Sequence, residues 1–197
     1  MGLPDKLQSI LLQNGGIITT AQANKVGISN ERLRLLMRSG KLEKASYGVY
    51  MLPDEFDDKM YITQQQKSKI IYSHGTALFL HDLTDRTPIH YTVTVPTGYN
   101  ATRLHDINLN VFTIKKELHL IGVTQLKTMF GHNVTTYDME RTICDCLRSR
   151  NRMDIVIITD AVKRYASRKD KNLNTLMEMA ETFHVTKPIR SYLEVLL

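Results

Sequence analysis

Three residues, Gly27-Ile28-Ser29, separate two stretches of helical periodicity, and Gly40 closes the second of them. That spacing leaves little freedom. Two helices joined by so tight a glycine-containing turn must cross, as in a helix-turn-helix. The first, "TTAQANKVG", begins at a threonine cap and stops at Gly27. In the second, "SNERLRLLMRSG", Ser29 is the expected N-cap, and Leu33, Leu36 and Met37 form an apolar stripe that can seat it. After Gly40 the period changes to that of strands. Leu42–Ala45 and Val49–Leu52 flank a turn at Ser46-Tyr47-Gly48, a hairpin in the position of a wing. An earlier helix, "PDKLQSILLQNG", turns Leu7, Ile10 and Leu11 to one face between Pro4 and Gly15-Gly16.

Charge is concentrated in this same stretch. The net charge of the 197 residues is +6, yet residues 1–52 hold seven Lys/Arg against three acids, and five of those cations lie between Arg32 and Lys44. A polyanion is the partner such a distribution suits. On the second helix Ser29, Asn30, Arg32 and Arg34 can face the major groove, where arginine reads guanine edges or clamps phosphate. Thr20 and Gln22 on the preceding helix join this candidate set. Arg38, Lys41 and Lys44 lie where cations hold the DNA backbone without reading sequence. Tyr47 at the hairpin tip can touch a sugar or phosphate, whereas Tyr50 is expected to pack inward. The competing interpretation is an amphipathic helix with a solvated basic face.

"PDEFDDKMY" is acidic and opened by proline, so residues 54–61 read as a solvated linker between a first domain, 1–53, and a second, 62–197. Beyond it, "ITQQQKSKIIYSHGTALFLHDL" (62–83) reads as helical with a break near Ser73. "HYTVTVP" (90–96) alternates as a strand; "NLNVFTI" (108–114) and "HLIGVTQL" (119–126) read as further strands. "YDMERTICDCLR" (137–148) is an aspartate-initiated helix, and three more helical stretches close the chain. The expected class is α+β: an N-terminal winged helix-turn-helix, then a mixed α/β domain with a small sheet and a terminal helical run.

Other chemistry is sparse. No apolar run approaches the ~20 residues that span a bilayer, and the N-terminus has neither a secretion signal nor a myristoylation motif. Cys144 and Cys146 point about 200° apart on a helix, which suits structural thiols in a reducing cytoplasm. "YSHGTALFLHDL" resembles the phosphate-holding turn of nucleotidyltransferases. Thr92 and Thr94, however, stand where a following strand would need metal-binding carboxylates. No Walker motif is present. His74 and His81 are too far apart to share a metal, and Ser73 and His74 are adjacent rather than facing. The expectation is therefore no metal, no cofactor and no catalysis. Glu140, Arg141 and Asp145 can pair along their helix, either as a structural network or as a site facing a partner or substrate.

Four stretches taken in order, "GGIITTAQANKVGISNERLRLLMRSGKLEKASYGVYMLP", "KIIYSHGTALFLHDLTDRTP", "YTVTVP" and "TYDMERTICDCLR", resemble the AbiEi antitoxins of bacterial abortive-infection (type IV toxin–antitoxin) systems. The resemblance implies a cytoplasmic phage-defence protein with two roles. Its winged helix would bind inverted repeats in its own promoter and repress transcription. Its second domain would counteract a nucleotidyltransferase-like toxin without a stable complex. Ser73, His74, Glu140, Arg141 and Asp145 fall in the stretches that carry the likeness, with no role assigned. Two alternatives stand beside it: a second domain that modifies the toxin or a nucleotide, and a plain effector-responsive regulator.

Overall fold

The computed structural model describes residues 2–105 and 107–196. Leu197, the last residue of the expected C-terminal helical stretch, lies outside the described residues, as does Met1 of the expected first domain. The fold is mixed α+β with two small sheets, in two compact units: Met1–Ser68 with Lys127–Val134, and Lys69–Leu126 with Thr135–Leu197.

In the first unit α1 (Asp5–Gln13) leads through Gly15 and Gly16, both at positive φ, into β1 (Ile17–Thr19). Then α2 (Thr20–Lys25) and α3 (Asn30–Arg38) precede the hairpin of β2 (Glu43–Ser46) and β3 (Val49–Met51). Both helix starts are capped as their sequences predict. The Thr19 hydroxyl accepts from the Gln22 N–H while the Gln22 side chain accepts from the Thr19 N–H, a reciprocal capping box. The Ser29 hydroxyl accepts from the Arg32 N–H at 3.2 Å. Gly27 and Gly40 end α2 and α3 at φ of +83° and +68°, conformations that a Cβ would strain. β3 lies between β1 and β2, antiparallel to both. Leu7, Leu11, Ile18, Leu33, Leu36 and Leu42 form the core beneath.

The stretch expected as a linker belongs to this unit. Its Asp58 is 1% exposed and caps α4 (Lys59–Gln66) by accepting from the Tyr61 N–H. The second carboxylate oxygen, Oδ2, accepts from Thr128 and His132 on the segment Lys127–Val134. Buried hydrogen bonds, not solvent, satisfy this carboxylate.

The five-stranded sheet has the order β6-β5-β4-β8-β7, from β4 (Ile71–Tyr72), β5 (Thr92–Pro96), β6 (Asn110–Ile114), β7 (Val123–Lys127) and β8 (Asn133–Tyr137). β5 runs parallel to β6 and antiparallel to β4, and β4 pairs with β8 in parallel at Tyr72–Thr136. Helices α5 (His74–Leu80), α6 (Thr102–His105) and α7 (Lys116–His119) lie between strands. Then α8 (Met139–Arg148), α9 (Ile155–Ser167), α10 (Leu173–Thr182) and α11 (Thr186–Leu196) close the chain. The helical stretch expected over 62–83 is broken earlier than Ser73, because Ile71 and Tyr72 are drawn into the sheet between β5 and β8. The strand expected over 119–126 starts only at Val123, and its first residues complete α7 and a turn at Gly122. Ile143, Leu147, Ile158, Val162, Leu176 and Phe183 pack the core around α8.

Candidate nucleic-acid interface and the buried charge site

On α3 the buried side chains Leu33 and Leu36 define the seat, with Met37 half-buried beside them. The exposed face beside the seat carries Asn30, Arg34 and Arg38, four residues apart and therefore in one stripe. All three are exposed. Arg32, expected on the same face, is half-buried at the margin of the seat. Leu35 was no candidate, yet it is 48% exposed and stands between the arginines on the outward side. Helical phase alone could have found it, since Leu35 falls opposite Leu33.

The remaining candidates divide by what already holds them. Ser29 and Gln22 are engaged in caps, and Gln22 also reaches Gln65 at 3.4 Å. The Thr20 hydroxyl donates to the Gly48 carbonyl, fixing α2 against the hairpin turn. Lys44 is exposed on β2, Lys41 half-buried before it, and Tyr47 at the tip is 87% exposed. Gln66 donates to the Tyr47 carbonyl and the Ser46 hydroxyl, holding the tip from beneath. Tyr50 packs against the apolar core.

The candidates of the second unit are internal. Asp138 caps α8, and every side chain from Glu140 to Leu147 is buried. Arg141 is fully enclosed: its Nε donates to Asp145 at 3.0 Å, and its Nη1 donates to the carbonyls of Leu118 and Ile121 at 3.0 and 2.8 Å. Its guanidinium lies between the rings of Tyr137 and Phe183, 4.2 and 3.8 Å from their centroids. Nη2 is buried with no hydrogen-bond partner. Gly122, at φ +71°, is where α8 leaves room for nothing larger, because a Cβ there would meet the Arg141 Cβ at 2.8 Å. Glu140 accepts from the Tyr165 hydroxyl and the Asn172 N–H. The network thus ties α8 to the turns around it. Burial pushes the Asp145 carboxyl up to about 6 against the pull of Arg141, and burial pushes the Cys144 thiol up to about 12.

Ser73 and His74 do face each other, contrary to expectation. His74 adopts φ +48°, which folds its Nδ1 back to 2.9 Å from the Ser73 hydroxyl. Thr94 donates to that same hydroxyl, and His74 Nε2 meets the Ser149 hydroxyl at 3.0 Å. Ser73 itself has no solvent exposure. Burial, then Arg141, Arg152 and Arg148 in turn, holds the imidazole down to about 3. His81 is turned elsewhere, with Nε2 donating to the Tyr137 carbonyl.

Fold and surface together define a two-unit α+β protein with a cationic helix face in one unit and a buried charge network in the other. Residues 5–53, α1 through the hairpin, match the model of a family described as a transcriptional regulator, AbiEi antitoxin. That match bears out the resemblance to AbiEi-type antitoxins and makes the first quarter of the chain similar to a transcriptional-regulator antitoxin. The chain is also similar in fold to the RV2827C protein from Mycobacterium tuberculosis. The TM-score is 0.55 at 12% sequence identity, covering 98% of this chain and 82% of that one. No curated protein matches in sequence. No helix among the described residues is long and apolar enough to cross a membrane.

Proposed function

We propose that the chain is a self-regulating antitoxin of an abortive-infection system in the bacterial cytoplasm. The first unit acts as a winged helix on inverted repeats in its own promoter, with α3 in the major groove and the β2–β3 hairpin as the wing. The observation that carries this reading is the overlap of the regulator-family match with the Asn30–Arg34–Arg38 stripe. Asn30 and Arg34 are suited to base edges, and exposed Leu35 to a thymine methyl. Arg38, Lys41, Lys44 and Tyr47 follow the phosphate backbone and fix register. Ser29, Thr20 and Gln22 act through the geometry they impose, with Arg32 at the margin.

The second unit counteracts a nucleotidyltransferase-like toxin without forming a stable complex. Catalysis is not assigned to it, because the strand β5 carries Thr92 and Thr94 where a metal-dependent transferase needs carboxylates. The test is fluorescence anisotropy on a duplex carrying the promoter's inverted repeats beside a scrambled duplex of equal length. Specific binding means a preference of about a thousandfold or more at physiological salt. Equal affinity for both duplexes removes the repressor role. Co-expression with the adjacent toxin gene, scored by growth, tests the antitoxin role separately.

A further inference from the structure

The second unit carries a cleft to which the proposed function assigns no part. Two adjoining hollows, of about 290 and 430 Å³, share His74, Phe112 and Arg152 in their walls. Together they reach the size of a small-molecule site. They differ in character. The smaller is cationic and polar, with Arg148, Ser149, Asn151 and Arg152 along one wall and Thr113 across from them. The larger has an apolar wall of Leu109, Val111, Met153 and Ile157, with Asn110 at its edge.

Charge at the cationic end is unbalanced. Among the described residues Arg86, Arg141, Arg164 and Arg168 are each in an ion pair, and neither Arg148 nor Arg152 is. The two carboxylates that line the cleft are already bound: Asp145 to the Arg141 Nε, and Asp154 to Arg86. Arg152 is nonetheless held in place. Its guanidinium sits 4.0 Å from the Phe112 centroid, and the His74 ring stacks 3.7 Å from that same centroid. Both cannot occupy one face, so Phe112 is sandwiched between them. A guanidinium laid on a ring keeps its N–H edge directed outward for an oxyanion. Burial first, then Arg141, and after it Arg152 and Arg148 hold the His74 imidazole neutral beside this wall.

We propose that this cleft binds a nucleoside phosphate. Arg148, Arg152, Ser149 and Asn151 hold the phosphate oxygens, while the base lies on Leu109, Val111 and Ile157, with the Asn110 amide at its polar edge. Charge, hydrogen-bond donors and an adjacent apolar wall are the combination that distinguishes a nucleotide from a bare anion. A free nucleotide and the terminal nucleotide of an RNA strand share this chemistry.

Titration calorimetry on the full chain without DNA, at fixed ionic strength, decides the matter. The ligands are ATP, GTP, CTP, UTP, pyrophosphate and a short single-stranded RNA. At least one nucleotide or the RNA is expected to bind at least about tenfold tighter than pyrophosphate. Arg148→Gln and Arg152→Gln should each weaken it about tenfold, the loss of a charge-assisted contact. Arg150→Gln, a neighbouring exposed arginine outside both walls, should leave affinity within about twofold. Binding of mononucleotides identifies the free ligand, and binding of the RNA alone identifies the strand end. The proposal is overturned if nothing binds, if pyrophosphate binds as tightly, or if Arg150→Gln costs as much as Arg152→Gln. The arginines are exposed, and unchanged melting temperatures of the variants show that any loss is local.

Discussion

His132 Nδ1 lies 2.8 Å from the carboxylate of Asp58, across 74 positions of sequence. On its other side His132 Nε2 meets the Gly15 carbonyl at 3.0 Å, and the ring stacks on Tyr61 at 4.6 Å between centroids. One buried side chain thus joins the N-cap of α4, the turn after α1 and the Lys127–Val134 segment. Asp58→Ala removes the cap and strips Thr128 and His132 of their acceptor, at a cost of about 3 kcal/mol. Chemical denaturation measures it. A loss below about 0.5 kcal/mol, the size of an ordinary surface substitution, would show that the cluster is incidental.

Arg34→Ala and Arg38→Ala should each weaken promoter binding and flatten the slope of log affinity against log salt by about one unit. If both stand on the DNA, Arg34 also carries base preference, so its loss narrows the gap between operator and scrambled duplex. Anisotropy titrations at several salt concentrations separate the two effects. Unchanged slopes in both variants would place α3 off the DNA.

Arg141 tests what the buried charge is for. Arg141→Met alone leaves the Asp145 carboxylate unpaired in the core, and removing one partner of a buried pair costs about 3–5 kcal/mol. Arg141→Met with Asp145→Leu replaces the pair by apolar groups and should recover most of that loss. Guanidinium denaturation of both proteins reads the difference. A double variant as unstable as the single one would mean that the bonds to the Leu118 and Ile121 carbonyls dominate.

Two groups near the cleft make opposite demands on pH. The His74 imidazole titrates at about 3 when folded, against an ordinary 6.5. The unfolded chain therefore binds that proton first, and stability present above pH 6.5 is lost as pH falls toward 3. For Asp145 the folded carboxyl is raised to about 6 from 3.8. Its contribution is full below 3.8 and is lost as pH rises through 6. Melting temperatures of wild type and His74→Gln should converge as pH drops from 7 to 4. Relative to Asp145→Asn, wild type should lose stability as pH rises over the same span. Parallel curves would assign both groups no part in acid stability.

What could be read from sequence followed from local chemistry. Thr19, Ser29 and Asp138 cap helices because their hydroxyl or carboxylate reaches an N–H within three residues, and that relation is visible in a short window. The glycines ending α2 and α3 mark themselves in the same way. The misread elements depend on distant partners. Ile71 and Tyr72 are too few to show a period, and only pairing to β5 and β8 makes them a strand. Asp58 is one of four acids in a polar stretch that reads as solvated, since nothing nearby announces His132. His74 faces Ser73 only through a positive φ that side-chain type does not signal.

The first unit is discontinuous in sequence, and this limits how such a protein can be inherited. A recombination event that moved residues 1–68 into another gene would carry away α1 to α4 but leave Thr128 and His132 behind. The transplanted piece would arrive with a buried carboxylate and no donors for its second oxygen. Homologous exchange within a lineage preserves the arrangement, whereas shuffling by a single crossover breaks it. The first unit and the remainder of the chain are therefore expected to descend together.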